Sequence, residues 1–255
     1  MNDKKTVVIT GATAGIGEAC AHIFAKNGYQ LILTGRRQER LEKLAAALSS
    51  KYKSKVHCLS FDVRNFEETQ AALNSLPKDW SQIDILINNA GLAVGFGPIQ
   101  EGDINDWNQM IDTNLKGLLH VSKCIIPLMT ARNAGHIINI GSIAGKEVYL
   151  NGNVYCATKA AVDAITKGMR IDLLKYGIKV TQVAPGAVET EFSLVRFHGD
   201  EAAAAKIYEG FTPLIAKDVA DVVYYAANLP AHVNINDMIV VPTAQANTSH
   251  THRKI

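Results

Sequence analysis

The feature that most constrains this chain is a recurring alternation. Short runs that are apolar throughout are separated by segments with helical spacing of apolar residues. Thr6-Val7-Val8-Ile9-Thr10 is the first run, β-branched and stopped by Gly11. Residues 15–27 follow, with Ile16, Ala19, Cys20, Ile23 and Phe24 on one helical face and Gly28 at the end. Strands are predicted at Leu31–Thr34, Val56–Phe61, Ile83–Ile87, His136–Ile140, Ile178–Val183 and Met238–Val241. Helices are predicted near 38–50, 66–76, 105–131 (bent at Pro127), 154–175, 201–209 and 217–228. A strand that is apolar on both faces must be covered on both. The alternation therefore predicts an α/β fold with a parallel sheet between two helical layers.

Of the 255 residues, 47% are hydrophobic and 20% charged, enough apolar material for a large core and too much for a disordered chain. No linker or composition break divides it. Residues 1–245 read as one dinucleotide-binding and catalytic domain, and 246–255 as a polar, flexible C-terminal tail. With 26 Lys and Arg against 24 Asp and Glu, the net charge of +2 gives no reason to expect nucleic acid or an anionic membrane as partner. No apolar stretch approaches the roughly 20 residues that span a bilayer, and no secretory signal is expected. Cys20, Cys58, Cys124 and Cys156 are irregularly spaced, which predicts reduced, mostly buried thiols in a cytoplasmic protein. No metal site is expected. His250 and His252 lie two apart in the polar tail, and His136, at the start of a buried strand, reads as structural.

The turn after the first strand reads Thr10-Gly11-Ala12-Thr13-Ala14-Gly15-Ile16-Gly17. Glycines at a strand-to-helix turn let backbone N–H groups approach a pyrophosphate, and the helix dipole favours that anion. In a βαβ unit this placement predicts dinucleotide binding, and with it a single-domain Rossmann-type doubly wound sheet. At the end of the second strand an NAD site would carry an acidic residue, but the sequence is Thr34-Gly35-Arg36-Arg37. An arginine fork suits a 2′-phosphate, so NADP is the expected cofactor; the alternative is that Arg36 and Arg37 simply begin a solvated helix. Asp62-Val63, ending the third strand, sits where an adenine amino group can be bonded.

Tyr155 and Lys159 are four apart on a predicted helix and share a face. A free tyrosine, with pKa near 10, is a poor acid/base at neutral pH, and a nearby ammonium favours its phenolate. Ser142, just past the fifth strand, can orient a carbonyl oxygen, and Asn114 lies on the preceding long helix. Each residue alone has a structural alternative: a core tyrosine, a solvated lysine, a helix-capping serine.

These motifs together resemble the short-chain dehydrogenase/reductase family. They are TGATAGIG at 10–17, NNAG at 88–91, Asn114, Ser142, YCATK at 155–159 and PG at 185–186. Within the family the chain is similar to the NADP-dependent 3-hydroxy acid dehydrogenases, which include bacterial serine and allo-threonine dehydrogenases. GRRQERL at 35–41, FDVRN at 61–65, DTNLKGL at 112–118, GNVYCATKA at 152–160, TEFSLVRFHGD at 190–200 and LPAHVNIND at 229–237 carry that likeness. Cys156 departs from the Gly or Ser often found there.

The resemblance implies that Tyr155 is the general acid/base, that Lys159 holds the nicotinamide ribose and depresses the Tyr155 pKa, and that Ser142 bonds the substrate oxygen. It implies that Asn114 supports a water linking Lys159 to solvent. Asn89, Ala90 and Gly91 would touch the cofactor, and the segment from Pro185 to Ser193, including Gly186, Val188 and Thr190, would lie against nicotinamide and pyrophosphate. Arg196 is either a partner for a substrate carboxylate or a surface residue. The expected reaction is hydride exchange between NADP and the 3-hydroxyl or 3-oxo carbon of small 3-hydroxy acids such as L-serine or L-allo-threonine. The alternatives are a carbonyl reductase for other ketones or aldehydes, and a non-catalytic NADP-binding regulator. The resemblance also implies a homotetramer paired through the helices near 105–131 and 154–175.

Overall fold

A computed structural model describes residues 4–254. In chain order it contains β1 (Thr6–Ile9), α1 (Gly15–Lys26), β2 (Gln30–Gly35), α2 (Gln38–Tyr52), β3 (Val56–Ser60), α3 (Phe66–Asn74) and β4 (Ile85–Asn88). Then come α4 (Ile104–Ile111), α5 (Leu118–Thr130), β5 (His136–Ile140), α6 (Asn153–Asp172), β6 (Lys179–Pro185) and β7 (Val188–Glu189). The last elements are α7 (Glu191–Arg196), α8 (Glu201–Lys206), β8 (Leu214–Ile215), α9 (Ala216–Ala227) and β9 (Asp237–Val240). Seven strands form a parallel sheet in the order β3-β2-β1-β4-β5-β6-β9. This is the doubly wound Rossmann-type single domain that the alternation predicts.

Successive strand residues point to opposite faces, and this divides the core in two. Val7 and Ile9 pack with Phe24, Leu41, Leu48 and Val223, beneath α1, α2 and α9. Val8 between them points the other way and packs with Ile32, Leu86, Ile125 and Met129, beneath α5. Burying both faces stabilises the sheet through large apolar areas, and truncating a filled position such as Phe24 to Ala costs about 3–5 kcal/mol.

Strand order reverses direction between β1 and β4. The connections leaving these two strands run to opposite sides and open a crevice at their carboxyl ends. The turn after β1 is tightly built against the turn after β4. A Cβ on Gly17 would stand 2.4 Å from the Gly11 carbonyl oxygen and 2.5 Å from Asn89 Nδ2, so that position admits only glycine without a shift.

Three features differ from the sequence reading. The long helical stretch departs from α-geometry at Asp112–Gly117, one π-helical stretch between α4 and α5, whereas Pro127 sits within α5. Insertions of this kind gather at functional sites, and Asn114 lies in this one. The sixth strand runs two residues past the predicted Val183 and ends at Pro185, in register with Val240, because a strand's last residue can lack a ladder N–H. Finally, β7 and β8 form a separate parallel pair, with α7 between them over the crevice; these runs of two to six residues carry no legible periodicity, whereas the helix expected near 201–209 is present as α8.

The C-terminal tail is not free. Gln245 and Thr251 form an antiparallel bridge, Arg253 donates to the carbonyls of Glu209 and Ile207 (the latter at 3.0 Å), and Lys254 N donates to Gly210 O at 2.7 Å. Backbone pairing with the segment after α8 anchors it. Cys20 and Cys156 are buried, Cys58 and Cys124 half-buried, and all four are unbonded thiols, somewhat less buried than expected.

Candidate active site

A cavity of about 550 Å³ occupies the crevice and runs from the turn after β2, across the glycine-rich turn, to the end of β5 and under α7. Gly11, Thr13, Ala14, Gly15 and Ile16 line its floor. Ala12 and Gly17 do not: Ala12 N donates to Thr34 O at 3.0 Å, and Gly17 packs behind the turn. The N-cap of α1 is Ala14, which has no side chain to cap the helix, so first-turn N–H groups are left for a ligand in the cavity. This opening fits a pyrophosphate.

Arg36, Arg37, Asp62 and Val63 line one end. Arg36 is 60% exposed, and its one ion-pair partner among the described residues is Asp62, at 3.9 Å. Arg37 is already engaged: Nε and Nη2 donate to Thr13 Oγ1 at 3.2 and 2.8 Å, and Nη1 donates to Glu191 at 3.2 Å. Arg40, absent from the sequence reading of the site, donates to the same carboxylate at 2.9 Å. Burial works against the charge on Asp62, but bonds from Arg64 at 2.6–2.9 Å outweigh it and hold the carboxyl below its ordinary range. An acidic Asp62 stays an acceptor, as an adenine amino group requires.

Asn89, Ala90 and Gly91 line the middle. Asn89 Nδ2 donates to Thr10 O and Gly11 O at 2.9 and 3.2 Å, bracing the glycine turn. Gly91 lies between two other expected residues: a Cβ there would stand 3.2 Å from Asn114 Oδ1 and 3.6 Å from Lys159 Nζ. Asn114 does not line the cavity. Its amide accepts from Leu92 N and donates to Leu92 O, both at 2.8 Å, and donates to Thr158 Oγ1 at 3.0 Å. Pro185, Gly186, Val188 and Thr190 close the near wall, and Thr190 also caps α7.

Ser142, Tyr155 and Lys159 meet at the deep end. Ser142 Oγ accepts from Ala144 N at 3.1 Å and caps a short turn. Lys159 Nζ donates to Ile140 O at 3.0 Å, and burial pushes its pKa down to about 8. Burial raises the Tyr155 phenol above its ordinary value; Arg196 and Ser142 oppose that shift, while Tyr149 and Cys156 add to it. Arg196 is thus a further cation beside Tyr155, one that the sequence reading had not placed there.

Arg196 ends α7, and four rings surround its guanidinium: Tyr155 at 5.0 Å, Tyr149 and Phe192 at 5.6 Å, and Phe96 at 5.7 Å. One terminal nitrogen donates to Tyr149 Oη, while the buried Nε has no partner among the described residues. It lines the cavity rather than the outer surface. Tyr149 and Phe96 were missed in the sequence because they come from separate segments without a shared period, whereas Phe192 falls in the segment expected against the nicotinamide. TEFSLVRF was the one visible signal.

Sheet, crevice and side-chain cluster together define a nucleotide-dependent oxidoreductase. Residues 5–199 match the family model described as short chain dehydrogenase, and the chain belongs to that family. It is 48% identical to Sulfoacetaldehyde reductase 2 of Chromohalobacter salexigens over 241 residues, covering 94% of this chain and 95% of that protein. It is 47% identical to the NADP-dependent 3-hydroxy acid dehydrogenase YdfG of Salmonella typhi over 241 residues, covering 94% of this chain and 96% of that one. The fold matches the closed form of serine dehydrogenase complexed with NADP+ with a TM-score of 0.91 and 45% identity, covering 98% of this chain and all of that one.

Proposed function

We propose that this chain exchanges a hydride between NADP and the carbon bearing the 3-hydroxyl or 3-oxo group of a small 3-hydroxy acid, with L-serine and L-allo-threonine as first candidates. The observation that carries the anionic-substrate reading is Arg196: a guanidinium with an unpartnered buried Nε that shares one cavity with Tyr155 and Ser142. Arginine pairs with carboxylates through two parallel hydrogen bonds, and the surrounding rings keep water from competing.

Bound in the crevice, the nicotinamide of NADP supplies the hydride acceptor or donor. Arg36, exposed and loosely paired, takes the 2′-phosphate. The first turn of α1 holds the pyrophosphate. Lys159 reaches the nicotinamide ribose. Ser142 donates to the substrate oxygen and orients it. Tyr155 gives that oxygen its proton on reduction and removes it on oxidation. Arg196 fixes the acid group and thereby aligns the reacting carbon. The four free thiols support a reducing, cytoplasmic location, and exposed Leu119, Leu128, Ile171 and Leu174 on or next to α5 and α6 support a homotetramer.

A second reading has a specific basis. A guanidinium among aromatic rings pairs with a sulfonate as readily as with a carboxylate, and the similarity to a sulfoacetaldehyde reductase favours testing it. Initial rates with NADP and NAD, over L-serine, L-allo-threonine, other 3-hydroxy acids, sulfoacetaldehyde and uncharged aldehydes, decide between them. Turnover of uncharged aldehydes alone would discard the anionic substrate class.

A further inference from the structure

Arg36 and Arg37 line the cavity at the β2 end, and Arg40 follows within α2. Glu191, the first residue of α7, lines the same cavity and bridges two of these arginines. Its Oε1 accepts from Arg40 Nη1 at 2.9 Å and its Oε2 from Arg37 Nη1 at 3.2 Å. Burial works against the Glu191 charge, but the bonds from Arg40 and Arg37 outweigh it and hold the carboxyl below its ordinary range. All three side chains are about half exposed, so another anion can reach them. The other end of α7 is fastened elsewhere: Gly95 N donates to Arg196 O at 3.0 Å, and His198 Nε2 pairs with Asp106 at 3.1 Å. Glu191 thus anchors α7 on the cofactor side, and the anchor is a carboxylate seated on guanidinium groups next to Arg36.

We propose that Glu191 competes with the 2′-phosphate of NADP for Arg37 and thereby ties cofactor preference to the placement of α7 over the substrate. The inference rests on the assignment of that phosphate to Arg36 and deepens it. A phosphate on Arg36 stands beside Arg37, whose Nη1 is the donor that Glu191 holds. Phosphate and carboxylate are both acceptors, so a donor given to one is withdrawn from the other. Two negative charges side by side also repel. The carboxylate therefore lowers affinity for NADP and leaves NAD, which has no 2′-phosphate, unaffected. Arg40 keeps its bond to Glu191 meanwhile, so α7 stays tied to α2 by one pair instead of two. Such coupling is reciprocal: the factor by which the phosphate loosens the Glu191 pair is the factor by which the pair weakens the phosphate. The chain gives up part of its NADP affinity to hold the helix that carries Phe192 and Arg196.

Glu191→Gln keeps the shape of the side chain and removes its charge. Calorimetric titration should show NADP binding about 2–5-fold tighter than in the unmodified enzyme, the scale of an exposed ion pair, with NAD binding unchanged. In about 1 M salt, where charges are screened beyond roughly 3 Å, that gain should disappear. Initial rates of the same variant at saturating cofactor should show a raised KM for L-serine or sulfoacetaldehyde, whichever the enzyme turns over faster, because α7 has lost its anchor. A merely loosened fold weakens both ligands, whereas competition moves the two affinities in opposite directions. An NADP-to-NAD affinity ratio that does not rise in Glu191→Gln, or a gain that survives high salt, overturns the competition. An unchanged KM overturns the tie to α7. Arg36→Asp separates this inference from the reading beneath it. A collapsed ratio there, beside an unchanged ratio in Glu191→Gln, keeps the phosphate on Arg36 and removes only the competition. Unchanged ratios in both variants remove both.

Discussion

The Arg196 guanidinium lies 5.0 Å from the centre of the Tyr155 ring, although 41 positions separate the two residues in the chain. One is on α6, held by the sheet, and the other ends a six-residue helix laid over the crevice. The proposed proton donor and the charge proposed to recognise the substrate therefore belong to different parts of the fold, and covering the crevice brings them together.

Removing the phenol oxygen should remove the chemistry and leave the cofactor site intact. Tyr155→Phe is expected to lower kcat by about 10²–10⁴-fold, the usual contribution of a general acid/base. NADPH binding, followed by fluorescence titration, should change little, because Tyr155 meets the cavity only at its deep end. Normal turnover would end the mechanism.

Cofactor choice should rest on Arg36. It is the more loosely paired arginine at the β2 end, and Arg37 is held by Thr13 and Glu191. Arg36→Asp should weaken NADP by roughly 10-fold or more and NAD far less, since one charge-assisted pair is worth about 1.5–3 kcal/mol. Calorimetric titration with both cofactors reads the ratio, and equal losses would move the phosphate elsewhere.

Cofactor affinity should also depend on pH through Lys159. Burial holds its pKa down to about 8 from 10.5, so the ammonium is present below that value and lost as pH rises through it. The dissociation constant for NADPH should therefore increase above about pH 8, and Lys159→Arg, always charged, should flatten that rise.

The glycine turn should tolerate no side chain at its tightest point. Gly17→Ala places a Cβ 2.4 Å from the Gly11 oxygen, so backbone must shift. A loss of about 1–3 kcal/mol in stability is expected from such overpacking, read as a lower melting temperature. Gly168→Ala, whose added Cβ meets nothing within 4 Å, is the control and should be neutral or slightly stabilising.

His136 should make the protein acid-sensitive. Burial, with Lys179 nearby, pushes its pKa down to about 3 from 6.5. Between these values the unfolded chain binds a proton that the folded chain refuses, so stability falls as pH drops from about 6.5 toward 3. His136→Gln should show a shallower decline of melting temperature across that window, tested by calorimetry from neutral to acid pH.

Much of the fold was legible in the sequence because its signals are local. A strand such as Ile85–Asn88 is apolar at all but its last position, and the spacing in 15–27 repeats every three to four residues. Glycines at 11, 15 and 17 report a tight turn without any knowledge of neighbours. Tyr155 and Lys159 share a helix face by spacing alone. Composition and pattern thus determined the parallel sheet, the crevice at its reversal, and the residues along its rim. Other features depend on contacts that no short window contains. The Asn114 turn is locked by Leu92 and Thr158, the Arg37–Glu191–Arg40 cluster joins α2 to α7, and the tail is pinned to the segment after α8. The rings around Arg196 come from three segments that meet only after the sheet has formed. Periodicity reports which side of an element is buried, whereas charge pairing and ring stacking depend on which distant element arrives opposite. That second kind of information exists only in the folded chain.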